Sequence, residues 1–157
     1  GYPVDMWALG CTVCEMFTGK VMMPSGSNNE HLRLIMEIKG KIPGKVIRKG
    51  RNWKNHFTDN LDFKYVDKEN VERIITNLNA KRSIKDMVLE RVAPEKRQSA
   101  APEDQHYVRK VGLFADLLEQ MLALDADKRI TPDDALKHPF CAESWSGRTN
   151  KHDGKHE

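Results

Sequence analysis

Apolar positions are unevenly spread along the chain, and three blocks carry helical spacing. The first, MWALGCTVCEMF at 6–17, has only Thr12 and Glu15 as plainly polar residues. A run of this length that is apolar on nearly every side predicts a core helix buried all round. Asp5 precedes it at an N-cap position, where a carboxylate accepts from unpaired backbone N–H groups. Gly19 can take the left-handed conformation that ends the helix. The second block, EHLRLIMEI at 30–38, puts Leu32, Ile35 and Met36 on one face, with Asn28 or Asn29 as its cap and Gly40 as its stop. It is expected to lie on the surface of the first helix.

The third block is the most regular. Val108, Val111, Phe114, Ala115, Leu118, Met121 and Leu122 follow a 3.6-residue period, with Lys110, Asp116 and Glu119 outside the stripe. Such a face must pack against something, and the first helix is the natural partner. A short last helix opens at Thr131-Pro132-Asp133-Asp134, with Thr131 as N-cap, Pro132 at the first helical position and two acids in the first turn. It ends before His138-Pro139.

The middle, 41–106, breaks this order. Weak helical patches occur at 71–78 and 84–92. Pro94, Pro102 and the polar residues between them read as a linker or mobile loop. The tail at 144–157 shows no periodicity and is expected to be disordered.

Composition narrows the picture. A chain of 157 residues suits one domain. Leu, Ile, Val and Phe make up 35 of them, just above the level of roughly 20% where disorder is expected. A core exists, then, but cannot run evenly through the length. The net charge of +3, from 26 basic and 23 acidic residues, does not by itself point to nucleic acid. No apolar run is long enough to cross a membrane as a helix. The opening GYPVD has no signal-sequence character, and a chain opening on Gly1 is expected to start inside a larger protein. Three cysteines, an odd number, and no glycosylation sequon fit a reducing compartment, nuclear or cytoplasmic. Cys11 and Cys14 form a C-x-x-C with no second ligand pair nearby, and are read as two small buried side chains rather than a zinc site.

Chemistry is sparse. Between positions 41 and 60, Lys41, Lys45, Arg48, Lys49, Arg51 and Lys54 face a single acid, Asp59, with Trp53 and Phe57 interleaved. This run is a solvated loop anchored by two aromatics, a dock for an acidic or phosphorylated protein partner, or a strip for nucleic acid; the last is the weakest reading, because no nucleic-acid fold surrounds it. Lys45, Arg48, Lys49 and Arg51 are the candidate docking residues. No glycine-rich phosphate loop and no nucleophile elbow occurs. The histidines show no metal-ligand spacing beyond a weak pair, His152 and His156, in the tail. No constellation of catalytic residues emerges.

Three motifs nevertheless stand in a telling order. Asp5-Met6-Trp7-Ala8-Leu9-Gly10-Cys11, followed by Glu15 and Gly19, resembles the D-x-W-S-x-G-C…E-x-x-x-G segment of eukaryotic protein kinases, with Ala8 for the usual serine. Asp125-Ala126-Asp127-Lys128-Arg129 resembles the family's D-P-x-K-R, with Ala126 for proline. Ala135-Leu136-Lys137-His138-Pro139-Phe140 resembles its A-L-x-H-P-F ending. The long insert is characteristic of the CMGC group, and Lys39-Gly40-Lys41-Ile42-Pro43 with Lys45, Ile47, Arg48, Lys49 and Gly50 is similar to the spliceosome-associated pre-mRNA-processing kinases.

The resemblance implies a mainly α fold: the helical C-terminal lobe of a kinase over 1–143, with an insert at about 41–106 and without the N-terminal β lobe, catalytic loop or activation segment. It implies a parent Ser/Thr kinase that uses ATP and Mg on protein substrates, with spliceosomal proteins among its partners and no membrane. It assigns no catalytic, cofactor-binding or metal-binding residue within the chain, so the chain alone is expected to be inactive and of marginal stability. Asp5, Trp7, Gly10 and Arg129 carry structural roles in this resemblance. Asp5 matches the aspartate that holds the catalytic loop. Arg129 matches the arginine that pairs with the A-P-E glutamate, and without that glutamate it is expected to be solvated or locally paired.

Overall fold

The computed structural model describes residues 1–143; the tail, with His152 and His156, lies outside the described residues. In chain order the elements are α1 (Tyr2–Thr18), α2 (Asn28–Lys39), α3 (Gly44–Lys49), a 3-10 turn (Trp53–Asn55), β1 (Phe63–Val66), β2 (Glu72–Ile75), α4 (Ile84–Leu89), α5 (Pro94–Gln98), α6 (Pro102–Met121), a second 3-10 turn (Ala126–Lys128), α7 (Pro132–Lys137) and α8 (Pro139–Ala142). The expected mainly α architecture holds.

Helix α1 starts earlier than its sequence suggests. Gly1 is its N-cap, Pro3 sits in its first turn, and Asp5 lies inside the helix instead of capping it. Proline's fixed φ and missing N–H suit that first turn, so the start moves upstream of the aspartate. Gly19 ends the helix as expected, at φ 70°, and donates its N–H to the Glu15 carbonyl at 2.8 Å. Burial is confined to one stripe, Met6, Gly10, Cys14 and Thr18, spaced four apart. Tyr2, Leu9 and Met16 on the other faces are exposed, Met16 by 79%. The helix is therefore not buried all round, because the elements that pack on it, chiefly α6, α4 and the second 3-10 turn, approach from one side.

The contact with α6 is close because position 10 has no side chain. A Cβ there would stand 3.0 Å from Leu122 Cδ2 and 3.2 Å from Met121 Cβ. The expected stripe of α6 is the buried one: Val111, Phe114, Ala115, Leu118 and Met121 are all covered, with Val108 partly so. Lys110, placed outside the stripe by its charge, is 1% exposed. Its four methylenes pack inside while the ammonium finds backbone carbonyls near α8.

The insert divides in two. Residues α4 and α5 return to α6, where Ile84, Val88 and Val92 join the main core. Residues 42–78 build a second core from Ile42, Ile47, Phe57, Phe63 and Leu78 around Met36 of α2. Helix α2 thus bridges the two cores, Leu34, Ile35 and Ile38 facing one and Leu32 and Met36 the other, instead of lying on α1. Its cap is Ser27, which accepts from the Glu30 N–H at 3.1 Å. Asn29 is spent elsewhere: it donates to the Lys64 carbonyl at 2.7 Å and accepts from the Val66 N–H at 2.9 Å, pinning β1.

Two expectations for the middle are corrected. The patch at 71–78 contains strand β2, paired antiparallel with β1 in the register Phe63 opposite Ile75 and Val66 opposite Glu72. The stretch between Pro94 and Pro102 holds α5 and runs directly into α6, whose first turn contains Pro102. Both prolines mark helix starts, where a missing N–H costs nothing. The patch at 84–92 does contain a helix, and its Ser83–Asp86 capping box sets the start.

A Gly10→Val substitution should destabilise the chain by about 1–3 kcal/mol through overpacking against Leu122. Gly112→Ala in α6, whose Cβ would meet nothing within 4 Å, should be neutral or stabilising by up to about 1 kcal/mol. Urea unfolding followed by circular dichroism checks both.

Candidate functional site

The residues singled out in the sequence gather around the turn that leaves α6. Arg129 folds back on this turn, donating from Nε and Nη2 to the Ala123 carbonyl at 3.0 and 2.8 Å. Its Nη1 reaches across to the Pro3 carbonyl in the first turn of α1. The guanidinium lies over the Trp7 ring, 5.1 Å from its centroid. A planar cation with five donors suits this combination of stacking and two-way donation. Burial pulls its pKa below the usual guanidinium range. The locally paired alternative for Arg129 is thus the one realised. Gly10 and Trp7 lie in the same α1 segment, while Asp5 points outward with no side-chain hydrogen bond or ion pair among the described residues.

The basic insert meets acids of this same turn. Lys45 on α3 pairs with Asp125 Oδ2 at 2.5 Å, and Lys49 with Asp127 Oδ2 at 3.0 Å. The Lys45 ammonium paired with Asp125 holds its carboxyl below the usual aspartate range, and the carboxylate in turn raises the Lys45 ammonium. Lys41 and Lys54 pair more loosely with Asp62 and Asp59, at 4.0 and 3.7 Å. Arg48 and Arg51 are exposed without an ion-pair partner among the described residues. Both aromatics anchor the run, Phe57 fully buried and Trp53 partly. Of the four candidate docking cations, then, two are engaged internally and two face solvent.

Comparison with known proteins sets these positions within one known domain. The model of the protein kinase domain matches residues 1–141. The chain belongs to the protein kinase domain family. The serine/threonine-protein kinase prpf4B of Dictyostelium discoideum is 36% identical over 141 residues, covering 88% of this chain and 17% of that protein. The serine/threonine-protein kinase prp4 of Schizosaccharomyces pombe is 32% identical over 139 residues, covering 88% of this chain and 28% of that protein. The human dual specificity protein kinase CLK2 is 32% identical over 149 residues, covering 95% of this chain and 26% of its own. The chain spans less than a third of the length of each.

The third kinase motif is built around groups that sequence reasoning missed. His138 is buried; its Nδ1 accepts the Phe140 N–H at 3.1 Å, so Nε2 carries the proton and donates to Asp116 Oδ2 at 2.8 Å. Lys110 donates to the Glu143 carbonyl at 2.7 Å, satisfying the end of α8. Arg109 beside it grips the Glu143 carboxylate with both Nη atoms. The histidine lies in a recognisable motif, but nothing in the sequence pairs it with Asp116, and a lysine on a core stripe gives no local signal. Near this end an apolar cavity of about 390 Å³ is lined by Val13, Phe17, Tyr107, Phe114 and Phe140, together with Lys110.

The C-x-x-C pair lies within α1, with Cys14 buried and Cys11 partly so. Burial pushes the Cys11 thiol up to about 11 and raises Cys14 as well, so neither is a thiolate near neutral pH. Among the described residues no group of three or more His, Cys, Asp or Glu side chains could hold a metal ion. No helix among them is long and apolar enough to cross a membrane.

Acid should unfold the kinase chain through its carboxylates. The hydrogen bond from Arg109 lowers Glu143, the Ser83 bonds lower Asp86, and the ion pair with Lys45 lowers Asp125. Burial opposes ionisation of Glu37, but the bonds and fields of Lys81 and Arg33 outweigh it. Each folded pKa lies below its unfolded value, so the stabilisation is complete above the ordinary carboxylate range and lost as pH falls through the folded values. The urea midpoint should stay level from about pH 7 to 5 and drop below about pH 4. Asp125→Asn should flatten that acid limb.

Proposed function

We propose that this chain is the C-terminal helical part of a protein serine/threonine kinase, one that transfers phosphoryl groups from ATP to protein hydroxyls in pre-mRNA processing. The observation that carries the reading is the joining of kinase motifs in space: Arg129, just after the second 3-10 turn, stacks on Trp7 and bonds Pro3, far upstream in the chain. The names of the prpf4B and prp4 relatives, aligned over most of this chain, support the serine/threonine part of the reading; the processing part rests on the resemblance of residues 39–50.

The residues present do not fit a nucleotide or its magnesium. Phosphoryl transfer needs a lid over the phosphates, a lysine on them, acids on the metal and a base near the attacking hydroxyl. The described residues offer no acid cluster for a metal, and the sequence has no glycine-rich phosphate loop. No step of the transfer is assigned to a residue here. The chain's own contribution is a floor: α1, clamped at Gly10 by α6 and at Pro3 and Trp7 by Arg129, presents Asp5 and an apolar face outward. The exposed Asp5 carboxylate is available for the upstream catalytic loop of the parent.

A second role is favoured by the insert, where Arg48 and Arg51 face solvent without ion pairs. They are the cations open to an acidic protein partner, and spliceosomal proteins are the partners we propose. Nuclear or cytoplasmic residence accords with this role.

With Mg-ATP and an Arg/Ser-rich peptide, the 157-residue chain should incorporate no phosphate above blank, whereas a longer natural polypeptide carrying the upstream motifs should. Turnover by the chain alone, abolished by a substitution within it, overturns the reading. For docking, Arg48→Glu with Arg51→Glu should cut recovery of an acidic peptide on immobilised chain at least several-fold; unchanged recovery discards the second role.

A further inference from the structure

The turn at 123–129 is gripped from two sides by different parts of the chain. On one side stand the two lysines of α3, four residues apart and hence on one helical face. Each meets one of two acids placed two residues apart, Lys45 with Asp125 and Lys49 with Asp127. On the other side Arg129 holds the Ala123 carbonyl, the Pro3 carbonyl and the Trp7 ring. The two grips share covalent and hydrogen-bonded backbone. Asp125 Oδ1 accepts the Asp127 N–H at 3.2 Å, and the Arg129 N–H donates to the Ala126 carbonyl at 3.3 Å.

Beside these ion pairs, Ile47 and the partly buried Val46 of α3 and Leu124 of the turn meet in the second core. Ile47 is its one buried residue, while Lys45, Arg48 and Lys49 are exposed. The Asp125 side chain, by contrast, is only 6% exposed, so its charge is poorly served by water and depends on Lys45. Two ion pairs along one face of a short helix, one on a nearly buried acid and the other exposed on both sides, fastened to a turn whose far end pins another helix, are a mechanical link.

We propose that Lys45–Asp125 and Lys49–Asp127 form a charge latch that couples the position of the insert to the start of α1 through the 123–129 turn. Releasing α3 frees the turn, and Arg129 then holds Pro3 and Trp7 less firmly. The coupling is a property of this chain and does not rest on its reading as a kinase.

Amide hydrogen exchange of the full chain at neutral pH tests it. Lys45→Glu with Lys49→Glu should speed exchange three- to tenfold at 44–50 and also at 4–10, and 1 M NaCl should do the same to the unaltered chain. Helix α4, held by the fully buried Ile84 and Val88, should be unmoved. Because Asp125 also caps its turn, the rescue uses the other pair: Lys49→Glu alone should loosen both segments, and Lys49→Glu with Asp127→Lys should restore them. Faster exchange at 44–50 with 4–10 unchanged overturns the coupling. Acceleration of α4 by the same factor, or no rescue by the reversed pair, overturns the latch.

Discussion

Helices α1 and α6 can approach as closely as they do because position 10 carries no side chain. With Leu122 Cδ2 only 3.0 Å from where a Cβ would stand, any larger residue would push the helices apart. The consequences run outward from that contact. It fixes the depth at which Met6 and Cys14 enter the core, and it brings the C-terminal end of α6 alongside the start of α1. The turn after α6 is thereby delivered to Trp7, and Arg129 needs only its own length to bridge them. The helix loses some propensity by carrying a glycine in its middle, about 1 kcal/mol relative to alanine, and the dense packing of α6 offsets this.

The same contact explains why α1 is half dressed. Its composition is that of a helix covered on every side, yet Val4, Leu9 and Met16 remain in water. Each exposed side chain forgoes the roughly 25 cal/mol per Å² that burial would contribute. The chain belongs to the protein kinase domain family, and the uncovered face of α1 is the one we propose as a floor.

Charge does a different job here from apolar burial. Ion pairs at exposed positions contribute little individually, but those in this chain are placed where two substructures must be kept in register. Lys39 of α2 pairs with Glu119 of α6, tying the helix that bridges the two cores to the one that lines the main core. Lys45 and Lys49 fasten α3 to the turn beside Arg129. Of the insert's six cations, read from sequence as a solvated loop, a protein dock or a nucleic-acid strip, two are matched by acids some eighty residues downstream.

Elements fixed by neighbouring residues were legible in the sequence. Gly19 and Gly40 as helix stops, the Thr131-Pro132 start, the α6 stripe and the weak helix at 84–92 all rest on capping chemistry or periodicity within a few residues. The family, too, was readable, since its motifs are strings of adjacent residues. What tertiary structure decided were choices between local options of similar free energy. Residues 72–75 became a strand because β1 lay in register to pair with them; Asn29 gave up its cap because Lys64 and Val66 needed its amide. Lys110 entered the core because the carbonyls of Phe140 and Glu143 came within reach, and Lys45 and Lys49 found Asp125 and Asp127. Partners like these are distant along the chain, and a one-dimensional pattern holds no distance between residues that only folding brings together.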